Sequence, residues 1–346
     1  MTVRIGLWGA RADQGGLAAM THDFFRHVEP DETMVVDLGD AGRGPARVEQ
    51  YPGARVVRGY NDAITEGMIR QFARKVDVVY AAETFYREDV AAVFADCGVP
   101  TVLHVMPELW RQEMAQPTRM WAPTTWELGR LPEHTEVVPV PVDTDRFPAR
   151  LADVPARRFM HLSAPAFHDR NGSNIVDDAL AWIACDEPIT VVYCGARKPP
   201  PAWHNHHGTT IRVEWDQGGH ATREALWAGD ADALVMPRRY AGLSLPMQEA
   251  AAQGMPIVAT DLPPQNAWLP AATLAPARPH RTVRMVGGHF TVYDASPVDV
   301  ADRISVLAND TETARSARSA SLSRAQDLSW DRWKPRYLDL LQEATA

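Results

Sequence analysis

Met236-Pro237-Arg238-Arg239-Tyr240-Ala241-Gly242-Leu243-Ser244-Leu245-Pro246-Met247-Gln248-Glu249-Ala250-Ala251-Ala252-Gln253-Gly254-Met255-Pro256-Ile257-Val258-Ala259-Thr260 reads as strand, loop, helix, turn and strand. The apolar run 233–236 feeds a loop, an alanine-rich helix former follows, and Gly254 with Pro256 stops that helix before a second short apolar run. A loop that opens directly on a helix presents free backbone N–H groups at the positive end of the helix dipole, which suits a phosphate. Gly242, Leu243 and Ser244 supply such a loop, and Glu249 lies one to two turns into the helix. The same pattern also serves simply to pack a helix on its sheet, and this stretch alone leaves both readings open.

Short apolar runs alternate with helix-length amphipathic segments on both sides of this stretch, predicting βαβ units and parallel sheets covered by helices on both faces. Strands are predicted at 3–8, 34–38, 76–81, 101–105 and 136–139, then at 159–163, 189–194, 210–214, 233–236 and 256–260. Between the two sets, Pro139, Pro141 and Pro148 resist helix and central strand alike, so 139–148 reads as a hinge. Three regions follow: an N-terminal domain at 1–145, a second domain at 146–325 and a helical tail at 326–346. Trp330, Trp333 and Tyr337 in that tail need a surface to pack on. Open α/β sheets bind ligands beyond the carboxyl ends of their strands, so chemistry is expected at a cleft between the domains.

The 346 residues, 45% apolar and 23% charged, fit two ordinary globular domains rather than a disordered or coiled-coil chain. A net charge of −9 disfavours a nucleic-acid glove, although a local arginine strip overrides net charge. Cys97, Cys185 and Cys194 are odd in number and widely spaced, which argues against a disulfide framework or a cysteine-held zinc. A cytoplasmic location is expected, because no secretory signal and no 18-residue apolar span is evident.

The stretch 237–258 resembles, without a gap, the donor motif of retaining GT-B glycosyltransferases of family 4 (glycosyl transferases group 1), P-S-x-x-E-G-x-G-x-P-x-x-E-A-x-A-x-G-x-P-V-V. Pro237, Gly242, Pro246, Glu249, Ala250, Ala252, Gly254, Pro256 and Val258 match, while the first glutamate falls at Ala241 and the second loop glycine at Ser244. The resemblance implies an α/β GT-B fold, with two Rossmann-like doubly wound domains facing across a cleft and a last helix crossing back to the first domain. It also implies that Glu249 takes the donor ribose and that the backbone of Gly242, Leu243 and Ser244 faces the diphosphate.

Other segments resemble the same family in the same order. Gly15-Gly16 resembles the first-strand loop that comes close to donor phosphate and acceptor, where the absence of a Cβ allows close approach. Residues 77–81 resemble D-V-V-H-A, and 137–147 resemble the interdomain I-P-N-G-V-D-x-x-x-F. Asn171-Gly172 with 178–180 resembles K-G…E-A-L, with Asn171 in place of the phosphate-clamping lysine. Arg170 and Arg238 are the nearest substitute cations. Residues 301–310 and 328–338 resemble the family ending A-x-x-I-x-x-L-x-x-D…F-S-W…Y.

Family members carry a histidine near the end of the fourth strand of the first domain. Met106 holds that place here, with His104 two residues back on the same strand face, so His104 is a catalytic candidate as well as an ordinary core residue. Glu108, just past the strand, is a candidate for orienting an acceptor hydroxyl. Asp230-Ala231-Asp232 has the look of a metal-binding D-x-D but stands where family 4 has a structural A-D-V. The histidines of 203–207 lack ligand spacing. Gly6, Gly9, Gly15 and Gly16 do not form the G-x-G-x-x-G fingerprint, so no nicotinamide cofactor is expected.

The resemblance implies a hexosyl- or other glycosyltransferase that moves a sugar from a UDP- or GDP-type nucleoside diphosphate sugar to an acceptor hydroxyl, with retention, without metal and without cofactor. A nucleotide-sugar 2-epimerase and a degenerate, non-catalytic nucleotide-sugar binder are the alternatives, the second kept open by Ala241 and Asn171. Protein, glycan, lipid, small metabolite and hydroxylated DNA base all remain as acceptors, nucleic acid being disfavoured by the excess of acids.

Overall fold

The computed structural model describes residues 3–13, 15–39, 46–150, 154–163, 169–218, 220, 222–240 and 242–346. The chain forms two compact units: Met1–Pro141 with Met285–Gly288 and Trp330–Ala346, and Val142–Arg284 with His289–Ser329. The chain passes between units after Pro141, Arg284, Gly288 and Ser329, beside expected divisions at 145/146 and 325/326.

In the first unit, β1 (Ile5–Arg11), β2 (Glu32–Asp37), β3 (Arg55–Arg58), β4 (Val78–Ala82), β5 (Thr101–His104), β6 (Arg119–Ala122) and β7 (Glu136–Val137) form one sheet. Its order is β3-β2-β1-β4-β5-β6-β7, and the pairings are parallel. β4, Val-Val-Tyr-Ala-Ala, is buried at every position, as a strand covered on both faces must be. Helices α2 (Glu66–Ala73) and α3 (Val90–Asp96) contribute to one face, where Trp8, Phe72 and Phe94 meet edge to face. Helices α1 (Gly16–Val28) and α9 (Trp330–Glu343) contribute to the other: Phe24 stacks on Tyr80 at 4.0 Å, and Tyr337 packs against Tyr80 and Trp121. The tail helix therefore belongs to the first unit, as the resemblance implied.

The second unit repeats the plan. β8 (Arg158–Leu162), β9 (Ile189–Cys194), β10 (Ile211–Asp216), β11 (Ala233–Met236), β12 (Ile257–Thr260) and β13 (Leu274–Ala275) form a parallel sheet of order β10-β9-β8-β11-β12-β13. Its helices are α4 (Ser173–Ala179), α5 (Arg223–Trp227), α6 (Leu245–Ala252), α7 (Pro297–Asn309) and α8 (Thr311–Asp327). Gly254, at φ 73°, ends α6 in the left-handed region, and a Cβ there would press on Leu322 of α8 at 3.2 Å. In both sheets the strand order reverses between the first and fourth strands, β1/β4 and β8/β11, where loops at the carboxyl ends leave room for a ligand.

Several strands were not foreseen. β3 and β6 are four residues long and begin with arginine, so neither shows an apolar run. A two-stranded ribbon, β14 (Ala277–Met285) and β15 (Gly288–Ala295), stands apart from both sheets, and β14 is dominated by polar, exposed residues. No helix among the described residues is long and apolar enough to cross a membrane.

Candidate functional site

At the switch point of the second unit, β8 and β11 lie side by side, with Ala233 beside Phe159 and Leu234 beside Met160. β8 leads through 163–172 into α4, and β11 leads through 237–244 into α6. The two loops touch: Gly172 has φ 71°, and a Cβ on it would fall 2.3 Å from the Pro237 carbonyl oxygen. Only glycine satisfies both constraints.

Fully buried His161 ties this corner together. Its Nδ1 lies 2.9 Å from the Val235 carbonyl oxygen and its Nε2 lies 2.8 Å from Ser173 Oγ. The carbonyl only accepts, so Nδ1 carries the proton and Nε2 accepts from the serine hydroxyl. Burial holds the imidazole neutral, with its pKa pushed down to about 4. Asp169 caps α4, accepting from the Ser173 and Asn174 N–H groups at 2.9 and 3.2 Å. Asn171, at the place of the family's lysine, is buried and donates its side-chain amide to the Leu162 carbonyl at 2.8 Å. It closes the loop on its own strand.

Three arginines are anchored on the loop after β11. Arg170 donates from Nε to the Tyr240 carbonyl at 3.3 Å, lies 4.9 Å above the Tyr240 ring, and accepts the Arg239 N–H at its own carbonyl. Buried Arg239 donates to Asn174 Oδ1 at 2.9 Å and pairs with Asp294 at 2.9 Å. Buried Arg238 donates from Nη1 to the Leu243 carbonyl at 2.8 Å, bracing the loop. The N–H groups of Leu243 and Ser244 find no acceptor among the described residues. Gly242 is buried beside them, and Ala241 lies outside the described residues. Cations and open N–H groups therefore gather just before α6, an arrangement able to hold a phosphate.

Glu249 is 4% exposed, and its carboxylate is engaged by α5. Oε1 accepts from Arg223 Nε at 3.0 Å, while Oε2 accepts from Arg223 Nη2 and, at 2.7 Å, from Trp227 Nε1. Arg223 and Trp227 are four residues apart and so share one helix face. Thr222 caps α5 by accepting from the Ala225 N–H at 3.1 Å. A carboxylate offers about four acceptor sites, and three are taken here. Sequence reading missed Arg223, Trp227, Arg239 and Asn174. The capping Thr222 and the i, i+4 spacing of Arg223 and Trp227 were the available signals.

In the first unit, Gly15 precedes α1 in extended backbone that any residue adopts, and Gly16 begins that helix. The glycine that the backbone demands is Gly9, at φ 73°, where a Cβ would meet the Tyr86 ring at 2.9 Å. Arg11, at the end of β1, pairs with Asp13 and donates to the Tyr86 hydroxyl at 3.4 Å.

His104 does not reach an open site. Strand alternation turns Leu103 and Val105 into the α2/α3 side and His104 into the opposite one, where it is fully buried among Tyr80, Trp121 and Tyr337. Its Nδ1 lies 3.1 Å from the Tyr80 hydroxyl, and burial drives its pKa down to about 3. Met106 is buried as well. Glu108, in a single 3₁₀ turn, is 7% exposed, and its carbonyl accepts the Gly287 N–H at 2.7 Å. In the D-x-D segment, Asp232 spends its carboxylate on the Arg157 and Arg158 N–H groups at 3.0 Å each, and Asp230 pairs with Arg158.

No protein-family model matches the chain, and no curated protein sequence matches it. Solved structures do. The Anabaena protein Alr3699/HepE, solved in complex with UDP and glucose, superposes with a TM-score of 0.68 at 14% identity, over 99% of this chain and 100% of its own. A sucrose-phosphate synthase from Thermosynechococcus elongatus gives 0.63 at 13% identity, over 99% and 98%. An α,α-trehalose 6-phosphate synthase from Burkholderia multivorans gives 0.54 at 10%, over 99% and 97%. The fold is GT-B: two Rossmann-like parallel α/β sheets with a C-terminal helix returned to the first unit.

Proposed function

We propose that this chain is a glycosyltransferase that moves a sugar from a nucleoside diphosphate sugar, of UDP or GDP type, to an acceptor hydroxyl. The observation that carries the reading is the gathering of Arg170, from the loop after β8, with Arg238 and Arg239 of the loop after β11, beside the open N–H groups of Leu243 and Ser244. It lies at a sheet switch point, on a fold shared with a protein solved with UDP and glucose and with sucrose-phosphate and trehalose 6-phosphate synthases.

In the reaction, the bond from the sugar's anomeric carbon to the diphosphate breaks, a bond to the acceptor oxygen forms, and the acceptor proton leaves with the diphosphate or to water. Arg170 and the Leu243 and Ser244 N–H groups stabilise the charge that builds on the leaving diphosphate, and Arg238 keeps their loop in shape. Glu249, held by Arg223 and Trp227, offers its remaining acceptor site to the donor ribose. Retention and membership of family 4 are part of the proposal and rest on the match over 237–258. Countercharge from arginines and helix N-terminus makes a metal-independent reaction the reading we favour. A cytoplasmic location is proposed on the three free cysteines, of which Cys185 and Cys194 have thiols pushed by burial up to about 11 and about 12.

One observation favours a second reading, a nucleotide-sugar binder without turnover: Asn171 and Glu249 are both committed to the protein's own groups. Incubation with UDP-, GDP- and ADP-sugars separates the two. Released nucleoside diphosphate supports transfer, thermal stabilisation without release supports the binder, and conversion of the sugar to its epimer overturns both.

A further inference from the structure

Among the described residues two tryptophans are exposed, Trp182 at 41% and Trp203 at 37%, and both line one cavity of about 530 Å³ in the second unit. The cavity lies between α4, the first turn of α7 and residues 200–204 of the segment joining β9 to β10. Pro200, Pro297 and the exposed Val298 add to its apolar wall. Its volume falls within the range of small-molecule sites, about 300–1,000 Å³. Large apolar side chains left in solvent at one place mark a surface built to be covered.

The two tryptophans are set in place before any ligand arrives. Asn205 donates from Nδ2 to the Leu180 and Ile183 carbonyls at 2.9 and 2.8 Å, and its Oδ1 accepts the His207 and Thr209 N–H groups at 3.0 and 2.9 Å. The His206 N–H adds a bond to the Ala181 carbonyl at 2.8 Å, and the His206 ring lies 4.5 Å from that of Trp182. The segment carrying Trp203 is thereby tied to the one carrying Trp182, and Pro199, Pro200 and Pro201 stiffen its approach. Little ordering cost is left to the encounter.

We propose that this cavity binds a neutral oligosaccharide, with sugar rings set against the two indoles. The C–H bonds on one face of a sugar ring carry partial positive charge, which suits the negative face of an aromatic ring, and the contact also buries apolar surface. The rim of the same sugar ring is hydroxyl, each group both donor and acceptor. The cavity answers both needs. The Asp178 carboxylate, the His204 ring nitrogens and the Trp182 and Trp203 N–H groups take part in no hydrogen bond among the described residues, so acceptors and donors stand open beside the apolar faces. A phosphate or carboxylate ligand meets Asp177 and Asp178, and no lysine or arginine among the described residues lines the cavity. An organic cation would use Asp178 and the ring faces but leave the indole N–H groups without acceptors. Arg170, Arg238, Arg239 and Glu249 line no part of it, so the inference goes beyond sugar transfer and is tested without any nucleotide-sugar.

The test is tryptophan fluorescence and calorimetry of the full chain with neutral trisaccharides of glucose, galactose, mannose or N-acetylglucosamine. At least one of them binds, shifts the tryptophan emission and is not displaced by UDP. Trp182→Ala and Trp203→Ala each weaken that binding at least about tenfold, through loss of a ring contact and its buried area. The melting temperature of Trp203→Ala is that of the wild type, since the side chain is exposed, and Trp203→Tyr, which keeps a ring face, restores most of the affinity. Asp178→Asn still binds the sugar, because an amide oxygen also accepts from a hydroxyl. The readout is the trisaccharide itself, so a failure to bind UDP leaves it unaffected. Absence of binding to every trisaccharide overturns the proposal, as does displacement by UDP or unchanged affinity in either alanine variant. So does binding of tetramethylammonium or an arginine-rich peptide in place of the sugars, lost in Asp178→Asn.

Discussion

Arg223 grips the Glu249 carboxylate at both oxygens, with Trp227 adding a third bond from the same face of α5. The helix that follows the 237–244 loop is thereby bolted to its neighbour at the residue expected to meet the ribose. Glu249→Ala leaves a partly buried guanidinium and an indole N–H without their acceptor, and should cost the second unit about 3 kcal/mol in urea unfolding. If Glu249 also takes the ribose, UDP binding weakens by roughly 1–3 kcal/mol in calorimetry, whereas Arg223→Ala lowers stability and spares UDP. Equal UDP affinity in wild type and Glu249→Ala removes the ribose role.

Gly172→Ala asks for a left-handed backbone and for a Cβ within 2.3 Å of the Pro237 carbonyl oxygen. The loops after β8 and β11 must separate to admit it. A loss of about 2 kcal/mol or more is expected, with weaker UDP binding, because the loop bearing Leu243 and Ser244 shifts. An unaltered unfolding midpoint would show that the two loops separate freely.

Arg170 holds Tyr240 through a backbone bond and a ring contact, and is the least buried of the three loop arginines. Arg170→Ala should weaken UDP binding about tenfold through loss of a charge-assisted phosphate contact. Uridine, which has no phosphate, should bind both proteins alike. A parallel loss for uridine would mean that the substitution has deformed the pocket.

Removing the chain from Trp330 onward strips Trp330, Tyr337, Leu340 and Leu341 from the first unit, all of them buried. At roughly 1.5–3 kcal/mol for each large apolar side chain, the first unit should unfold at physiological temperature. Tyr337 also donates to the Pro139 carbonyl at 2.9 Å, a bond lost with the tail. UDP affinity of the second unit should survive, and its disappearance would give the tail a direct part in donor binding.

His104 and His161 are held neutral by burial, with pKa values near 3 and 4 against 6.5 in an unfolded chain. Below pH 6.5 the unfolded state takes up protons that the folded state refuses, so stability falls as the pH drops from 6.5 toward 4. Each histidine contributes about 1.4 kcal/mol per pH unit over that window. Unfolding midpoints from pH 7.5 to 4.5 check this, and His161→Gln should flatten part of the slope. A pH-independent midpoint in the wild type would contradict the burial of both rings.

The run from Met236 to Thr260 was legible because its chemistry is local: an apolar strand, a loop with small residues, an alanine-rich helix, and a glycine whose position after α6 its φ of 73° explains. The βαβ order was legible for the same reason, since buried parallel strands are written as apolar runs. β14 was not, because its residues 278–282 are exposed without a break and carry no apolar alternation to read. His104 misled because a period of two says which residues share a face but not which face meets solvent. Only the packing of α1 and α9 on that side made it core.

Strand and helix identity, the parallel architecture and the loop that opens on α6 were written in side-chain pattern and backbone preference, which act over a few residues at a time. The engagement of Glu249 by Arg223, of Asn171 by Leu162 and of Gly172 by Pro237 joins positions 9 to 65 residues apart. Such pairings come into being when β8 and β11 are laid side by side, because a hydrogen bond depends on distance and angle in space and leaves no periodic mark along the chain.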